Sequence, residues 1–257
     1  MRKLLYVPVL LALICSCQKS SDRQNSPSTD TRLISVRGYQ NNTLERVDTF
    51  IYNANGSLLT QKEFGYGNAG SYADSFSVTF NYSGTNTEPV SYTINDGWGN
   101  NTYTLNYDNQ GRVIKDTIIP DRASRASTFS YPNNNIVYTS KDNGSTDTLY
   151  LSGGNMVKTV QASIPADTSL TIITDYIYNQ NYPNPFYYTG QTQNVRVLLT
   201  KIDGWEMYVS DCISKNCYTA AHENNNGFSA QYTHTTDGAG RVIKTEVLGY
   251  RQEYRYK

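Results

Sequence analysis

Four stretches of this 257-residue chain share one frame: an aromatic residue or threonine, a few turn formers, a glycine, a polar residue and two apolar ones. They are Tyr52–Leu59 (YNANGSLL), Tyr107–Lys115 (YDNQGRVIK), Tyr150–Lys158 (YLSGGNMVK) and Thr236–Lys244 (TDGAGRVIK). Weaker copies without the glycine start at Tyr82, Tyr131 and Tyr178, so that successive starts from 52 to 178 lie 19 to 30 residues apart. That spacing suits a two-stranded hairpin and its return, and such units bury a shared core by stacking on one another. The glycine supplies the positive φ that lets a strand reverse through a short loop or bulge.

The segments between these turns alternate with a period of two. Phe76, Val78, Phe80 and Tyr82 interleave with Ser75, Ser77, Thr79 and Asn81, and Tyr103, Leu105 and Tyr107 interleave with Thr102, Thr104 and Asn106. Tyr254 and Tyr256 alternate in the same way with Glu253 and Arg255 at the end of the chain. One apolar and one polar face is the pattern of a half-buried antiparallel strand. No window places apolar residues convincingly at i, i+3, i+4 and i+7. The fold class is all-β: an antiparallel meander of repeated hairpins, forming a curled sheet or a partly closed barrel. Two segments break the ladder. Residues 179–194, rich in Pro, Tyr and Asn, read as an extended loop, because each Pro biases its neighbour away from helix. Residues 211–228 read as an excursion from the sheet.

Lys and Arg number 22 and Asp and Glu 22, with 23 Tyr beside 7 Phe and 2 Trp. Such a balance, with no clustered basic residues, argues against a nucleic-acid partner. A 12% aromatic content argues against intrinsic disorder.

Compartment is read from the first residues. Arg2 and Lys3 precede an apolar run from Leu4 to Ile14, too short to span a membrane but suited to a secretory signal. Ile14-Cys15-Ser16-Cys17 resembles a bacterial lipobox, which assigns lipidation to Cys17, with Cys15 at a position where a small residue is usual. The organisation expected is a lipoprotein signal peptide over 1–16, a lipidated Cys and flexible tether over 17–31, and a single β domain over 32–257. The polar stretch from Gln18 to Asp30 would span about 20 Å as a coil. The acyl chains such a resemblance implies would hold the domain firmly at a membrane surface, since two already suffice.

Tyr107-Asp-Asn-Gln-Gly-Arg112 resembles the YD repeats of Rhs-type proteins, whose units read Y-D-x-x-G-R, and Asp237–Arg241 keeps most of that pattern. Lipobox and hairpins together resemble outer-membrane lipoproteins of the Bacteroidota, some of which have a porin-like, curled β-sheet. The Tyr182-Pro-Asn-Pro-Phe186 segment is similar to that group as well. The resemblance implies a lipid-anchored outer-membrane location, on the periplasmic or the cell-surface face.

Chemistry is sparse. Once Cys17 is lipidated, Cys212 and Cys217 remain, and in an oxidising compartment two such residues pair as a disulfide. A metal site drawing on both thiols, His222 and Asp211 or Glu223 would be an incomplete zinc set. His234 lies between Thr233 and Thr235 in an expected strand, facing outward or packing against a Tyr. The oxygen-rich segments Asn95–Gly99 and Asp142–Asp147 read as turns, because neither follows the acidic spacing of a calcium loop. No nucleophile elbow, zinc-protease motif or phosphate loop occurs. No metal or other cofactor is expected. Trp98 and Trp205, each in an Asp-Gly-Trp segment, are candidate stacking platforms for a ligand. The function expected is non-enzymatic binding or scaffolding in the cell envelope, with a glycan or an envelope protein as partner. Two alternatives stay open, a glycan-active hydrolase and a membrane-embedded barrel.

Overall fold

The computed structural model describes residues 32–66, 72–96, 99–119, 126–140, 145–162, 171–187, 192–202, 212–224 and 227–257. They form one sheet of 17 antiparallel strands and one α-helix. The strands follow one another round the sheet as β1 (Leu33–Gln40), β2 (Thr43–Tyr52), β3 (Leu58–Tyr66), β4 (Tyr72–Tyr82), β5 (Pro89–Asn95) and β6 (Asn100–Tyr107). Next come β7 (Val113–Ile119), β8 (Ala126–Ser130), β9 (Ile136–Ser140), β10 (Thr146–Ser152), β11 (Asn155–Ala162) and β12 (Thr171–Pro183). After helix α1 (Gln193–Ile202) the wall resumes with β13 (Asn216–Glu223), β14 (Ser229–Gln231), β15 (Thr233–Thr236), β16 (Val242–Val247) and β17 (Tyr250–Tyr256).

β17 pairs back onto β1, with Val36 opposite Tyr254, so the meander curls into a nearly closed barrel. An up-and-down ring can close antiparallel only with an even number of strand directions. The count of 17 satisfies this because β14 and β15 are consecutive pieces of one segment, interrupted at Tyr232. The first piece pairs with β13 and the second with β16, and this change of partner is the one unsealed seam.

The repeat frame has a direct structural meaning. Asp108 Oδ1 accepts from the backbone N–H of Gln110 and of Arg112, both at 2.9 Å, and Gly111 closes the loop at φ +74°. Asp237 does the same for Ala239 and Arg241, with Gly240 at φ +79°. Beyond each turn the two apolar residues part company. Val113 pairs with Tyr107 and is fully buried, whereas Ile114 is the extra residue of a bulge before Lys115 meets Asn106, and is exposed. Leu58-Leu59, Met156-Val157 and Val242-Ile243 repeat the arrangement. One inward step per turn, re-aimed by a bulge, is how a sheet bends into a ring.

In six hairpins a tyrosine ties the two strands together. Its hydroxyl donates to a carbonyl at the start of the preceding strand: Tyr52 to Leu33, Tyr82 to Leu58, Tyr107 to Pro89, Tyr131 to Val113, Tyr178 to Met156 and Tyr256 to Val242. The arginine after the glycine completes the clip. Arg112 pairs with Asp108 at 2.7 Å and lies 4.4 Å over the ring of Tyr131, the tyrosine of the next unit. Arg241 repeats this between Asp237 and Tyr256. In β10 the position falls to Leu151, half-buried against the core, so the frame starting at Tyr150 is displaced by one residue and Tyr150 faces solvent.

Inward positions of the strands form one apolar core that includes Val36, Phe50, Phe80, Tyr92, Phe129 and Tyr254. Inside the ring sits α1, whose Val195, Val197, Leu198 and Leu199 are all buried. Asn194 and Thr200 are buried with them, so the helix is enclosed on most sides although it carries Arg196 and Lys201. This corrects the expected extended loop over 179–194: β12 runs on to Pro183, and the helix starts at Gln193. Val195, Leu198, Leu199 and Ile202 do stand at i, i+3, i+4 and i+7, but Val-Arg-Val also reads as a strand, which hid the helix. The expected excursion over 211–228 is likewise corrected, because β13 occupies its centre.

Candidate functional site

Cys17, Trp98, Trp205 and Asp211 lie outside the described residues, as do residues 142–144 of the Asp142–Asp147 segment. The Asp96–Gly99 connection joins β5 to β6, with Gly99 N–H donating to Asp96 Oδ1 at 3.1 Å. Cys212 and Cys217 are both buried, and no disulfide joins them. Their surroundings differ. Cys212 lies near the guanidinium of Arg196 on α1, whereas Cys217 lies near Tyr254 and Tyr256 and points its Sγ at the Pro183 carbonyl, 3.7 Å away. His222 is exposed on β13, where its Nδ1 meets Ser229 Oγ at 2.9 Å. Among the described residues no three His, Cys, Asp or Glu side chains come together as a metal centre would need.

Polar chemistry concentrates where the interior segment meets the wall. At the start of α1, Asn194 Oδ1 accepts from Val113 N–H at 2.9 Å while its Nδ2 donates to the Gly111 carbonyl and to Glu88, each at 2.8 Å. Thr192 also donates to Glu88, at 2.9 Å. Near the other end of the helix, Lys201 pairs with Asp116 of β7, which is completely buried and also accepts from Tyr92 OH and from Ser127 N–H, both at 2.7 Å. Burial, with Asp116 beside it, pushes the Tyr92 phenol far above its usual range. Lys201 Nζ lies 5.7 Å from the centres of both Tyr103 and Phe129. Where the segment returns to the wall, Ser214 Oγ accepts from Met156 N–H at 2.8 Å and lies 2.9 Å from Tyr178 OH. A third buried group lines β2 and β3, where Arg46 bonds Asp48 and Glu63, each at 2.9 Å.

Each of these carboxylates is engaged by donors of the chain itself, which suits fastening a helix or closing a charge pair. General acid–base work on a glycan would instead need two carboxyls facing each other across an accessible gap. None of Glu88, Asn194, Asp116 and Lys201 carries a motif in the sequence. For Asn194 and Lys201 the available signal was the helical spacing of Val195, Leu198, Leu199 and Ile202, and Glu88 and Asp116 had none.

At the seam, His234 of β15 reaches in both directions. Its Nδ1 lies 2.9 Å from Thr245 Oγ1 on β16, its Nε2 lies 3.0 Å from the Tyr218 carbonyl on β13, and its ring packs on Tyr182 with centroids 4.9 Å apart. The expected packing against a tyrosine is present, joined by a bridging role. Burial pushes the imidazole below its usual value, and the bond to the Tyr218 carbonyl offsets part of that.

A nearly closed antiparallel barrel with its lumen filled by a pinned helical segment is the class these features define. No family model matches the sequence, and no curated protein is similar to it at a significant level. Solved structures do match. A porin-like protein from Bacteroides uniformis superimposes with a TM-score of 0.57 at 18% identity, over 90% of this chain and 99% of that one. A porin-like protein from Bacteroides vulgatus gives 0.50 at 13% identity, over 89% and 99%. At these identities what is shared is the fold, and it runs through nearly the whole of both relatives.

Proposed function

We propose that the protein is a lipid-anchored β-barrel of a bacterial outer membrane that binds or scaffolds a partner at its outer surface and neither conducts nor catalyses. The carrying observation is the distribution of polarity across the wall. Phe80, Tyr92 and Tyr103 point into a packed core, while Thr79, Thr93 and Thr102 form a row on the outside, with Thr93 and Thr102 hydroxyls 3.0 Å apart. A membrane-spanning barrel has the opposite arrangement, with an apolar band outside and a polar lumen. The apolar residues that do face out, such as Ile51, Ile114 and Ile177, are spread over separate strands. The leader over 1–16, Cys17 and the tether to residue 31 support attachment through lipid, and the porin-like Bacteroides structures support an outer-membrane setting. Asp-Gly-Trp segments at Trp98 and Trp205 are the first places to look for a glycan or protein ligand.

Fractionation of the full chain and of its Cys17→Ser variant tests this reading, with fatty-acid labelling and bilayer conductance measured alongside. The expected result is a labelled, membrane-bound, non-conducting parent and an unlabelled variant soluble without detergent. A Cys17→Ser protein that still needs detergent would establish the embedded barrel instead. A glycan array probed with the soluble variant, and with Trp98→Ala and Trp205→Ala added to it, then locates the binding surface.

A further inference from the structure

We propose that His234 is a proton-sensitive clip of the barrel, holding β13 to β15 and β16 while neutral and releasing the seam when it takes up a proton. The ring of strands comprises eight hairpins, counting β14 and β15 as one arm. In six of them a tyrosine hydroxyl at the end of the second strand donates to the carbonyl at the start of the first. In the hairpin of β9 and β10 the position holds Leu151. In the hairpin formed by β13 with β14 and β15 it holds Thr236, whose side chain is too short to reach across. Two residues earlier, His234 supplies what is missing. A carbonyl can only accept, so the bond to Tyr218 O places the proton on Nε2 and leaves Nδ1 to accept from Thr245 Oγ1. The imidazole thus does at the seam what a phenol does elsewhere.

The two kinds of donor respond differently to pH. Burial pushes the Tyr82, Tyr107 and Tyr256 phenols above their usual range and Tyr131 up to about 12, so these clips keep their protons at any physiological pH. An imidazole gains a proton instead. The ring packs on Tyr182 of β12 and bonds Tyr218 of β13, whose own ring meets Tyr232 in the β14–β15 break, and its partner Thr245 is also bonded by Tyr254 of β17. On β16, Lys244 and Glu246 flank Thr245 and pair with each other at 2.8 Å. Among the described residues none of the groups packed on the ring is a carboxylate, so a half-buried imidazolium gains only its contact with the Tyr182 face. Its Nδ1–H would also meet a Thr245 hydroxyl that already accepts from Tyr254 at 3.3 Å. A histidine whose folded value is depressed stabilises the closed form above its ordinary value of 6.5, and that contribution is lost as the pH falls below it. The strand set free is the one into which the interior segment runs, since Ser214 and Lys215 lead directly into β13. Opening the seam therefore loosens the wall where the filling of the barrel is attached.

Amide exchange of the full chain between pH 7.5 and 5, expressed as protection factors, tests the proposal. Protection at residues 216–219 and 232–236 should fall by up to about tenfold per pH unit below 6.5, while the amides around Tyr107 and Tyr131 hold. His234→Gln keeps an uncharged donor and should make the seam indifferent to pH, whereas His222→Gln should leave the loss as in the parent. A seam equally protected at both pH values overturns the proposal, as does a loss abolished by His222→Gln alone. Should His234→Gln not fold, imidazole nitrogen NMR of the parent decides: an Nε2–H tautomer at pH 7.5 is expected, and an Nδ1–H tautomer overturns the assignment.

Discussion

The hairpin of β7 and β8 and the hairpin of β13 with β14 and β15 occupy equivalent places in the ring, yet they are held by different means. In the first, the Asp108 turn leading in from β6 is joined through Arg112 to the ring of Tyr131, and the Tyr131 hydroxyl donates to the Val113 carbonyl at 2.7 Å. In the second, the strand changes partners at Tyr232, a threonine stands at the clip position, and one imidazole spans the gap. The contrast teaches that the repeat is more than a turn signal. Its tyrosine joins the two strands of a hairpin and its arginine joins the turn before them to that tyrosine; at the seam, where neither is present, the strand changes partners.

Tyr131→Ala is the harshest way to break this comparison. It removes a half-buried ring, the stacking surface of Arg112 and the hydroxyl together, and should cost about 3–5 kcal/mol in denaturant titration. His234→Ala should cost less, about 1–3 kcal/mol, by leaving the Tyr218 carbonyl without its donor. A larger loss at His234 than at Tyr131 would reverse the ranking of clip and seam. Tyr131→Phe isolates the hydroxyl and should cost about 1–2 kcal/mol. Gly111→Ala meets no atom within 4 Å but must hold φ +74°, so about 1–2 kcal/mol of backbone strain is expected, read as a shift of the urea midpoint. The smallest change should be a gain: Leu151→Tyr restores the missing clip of β9 and β10 and should add up to about 1 kcal/mol, visible as a rise of a few degrees in Tm.

Acid separates the two regions without any substitution. The N–H of Arg112 holds the Asp108 carboxyl below its ordinary 3.8, against an opposing desolvation and aided by the Arg112 side chain and Gln110 N–H. Burial pulls Asp237 up, but the N–H and guanidinium of Arg241 pull it down further. A carboxylate depressed on folding stabilises above its unfolded value and loses that contribution as pH falls through the folded one. Exchange near the seam should therefore rise from about pH 6.5 downward, with the aspartate turns yielding only below about pH 4.

Much of the wall was legible in the sequence. Tyr107, Asp108, Gly111 and Arg112 announce a turn, and alternation in β4 and β6 gives the inward face without a structure. The frame at Tyr150 misleads by one residue because Leu151 packs inward as a tyrosine would, and only the register distinguishes them. The interior was less legible. The segment Gln193–Ile202 satisfies both helical and strand periodicity, and what decides is the closed ring around it, which leaves no free sheet edge inside and leaves the helix to satisfy its own backbone. Asp116 with Lys201, and Glu88 with Asn194, are single polar residues brought together across 85 and 106 positions of chain by that same enclosure. The seam was least legible, since a threonine in place of a tyrosine reads as an acceptable member of the frame until the missing reach is seen.

Lys257 N–H donates to the Arg32 carbonyl at 3.0 Å, so the last wall strand finishes beside the point where the first begins. A ring of this kind has no intrinsic first strand. A short linker from Lys257 to Arg32, with new ends opened at the exposed Leu248-Gly249 turn, would give a circularly permuted protein with the same registers. The order in which strands leave the ribosome could then be rotated around the barrel, with β17 synthesised first instead of last.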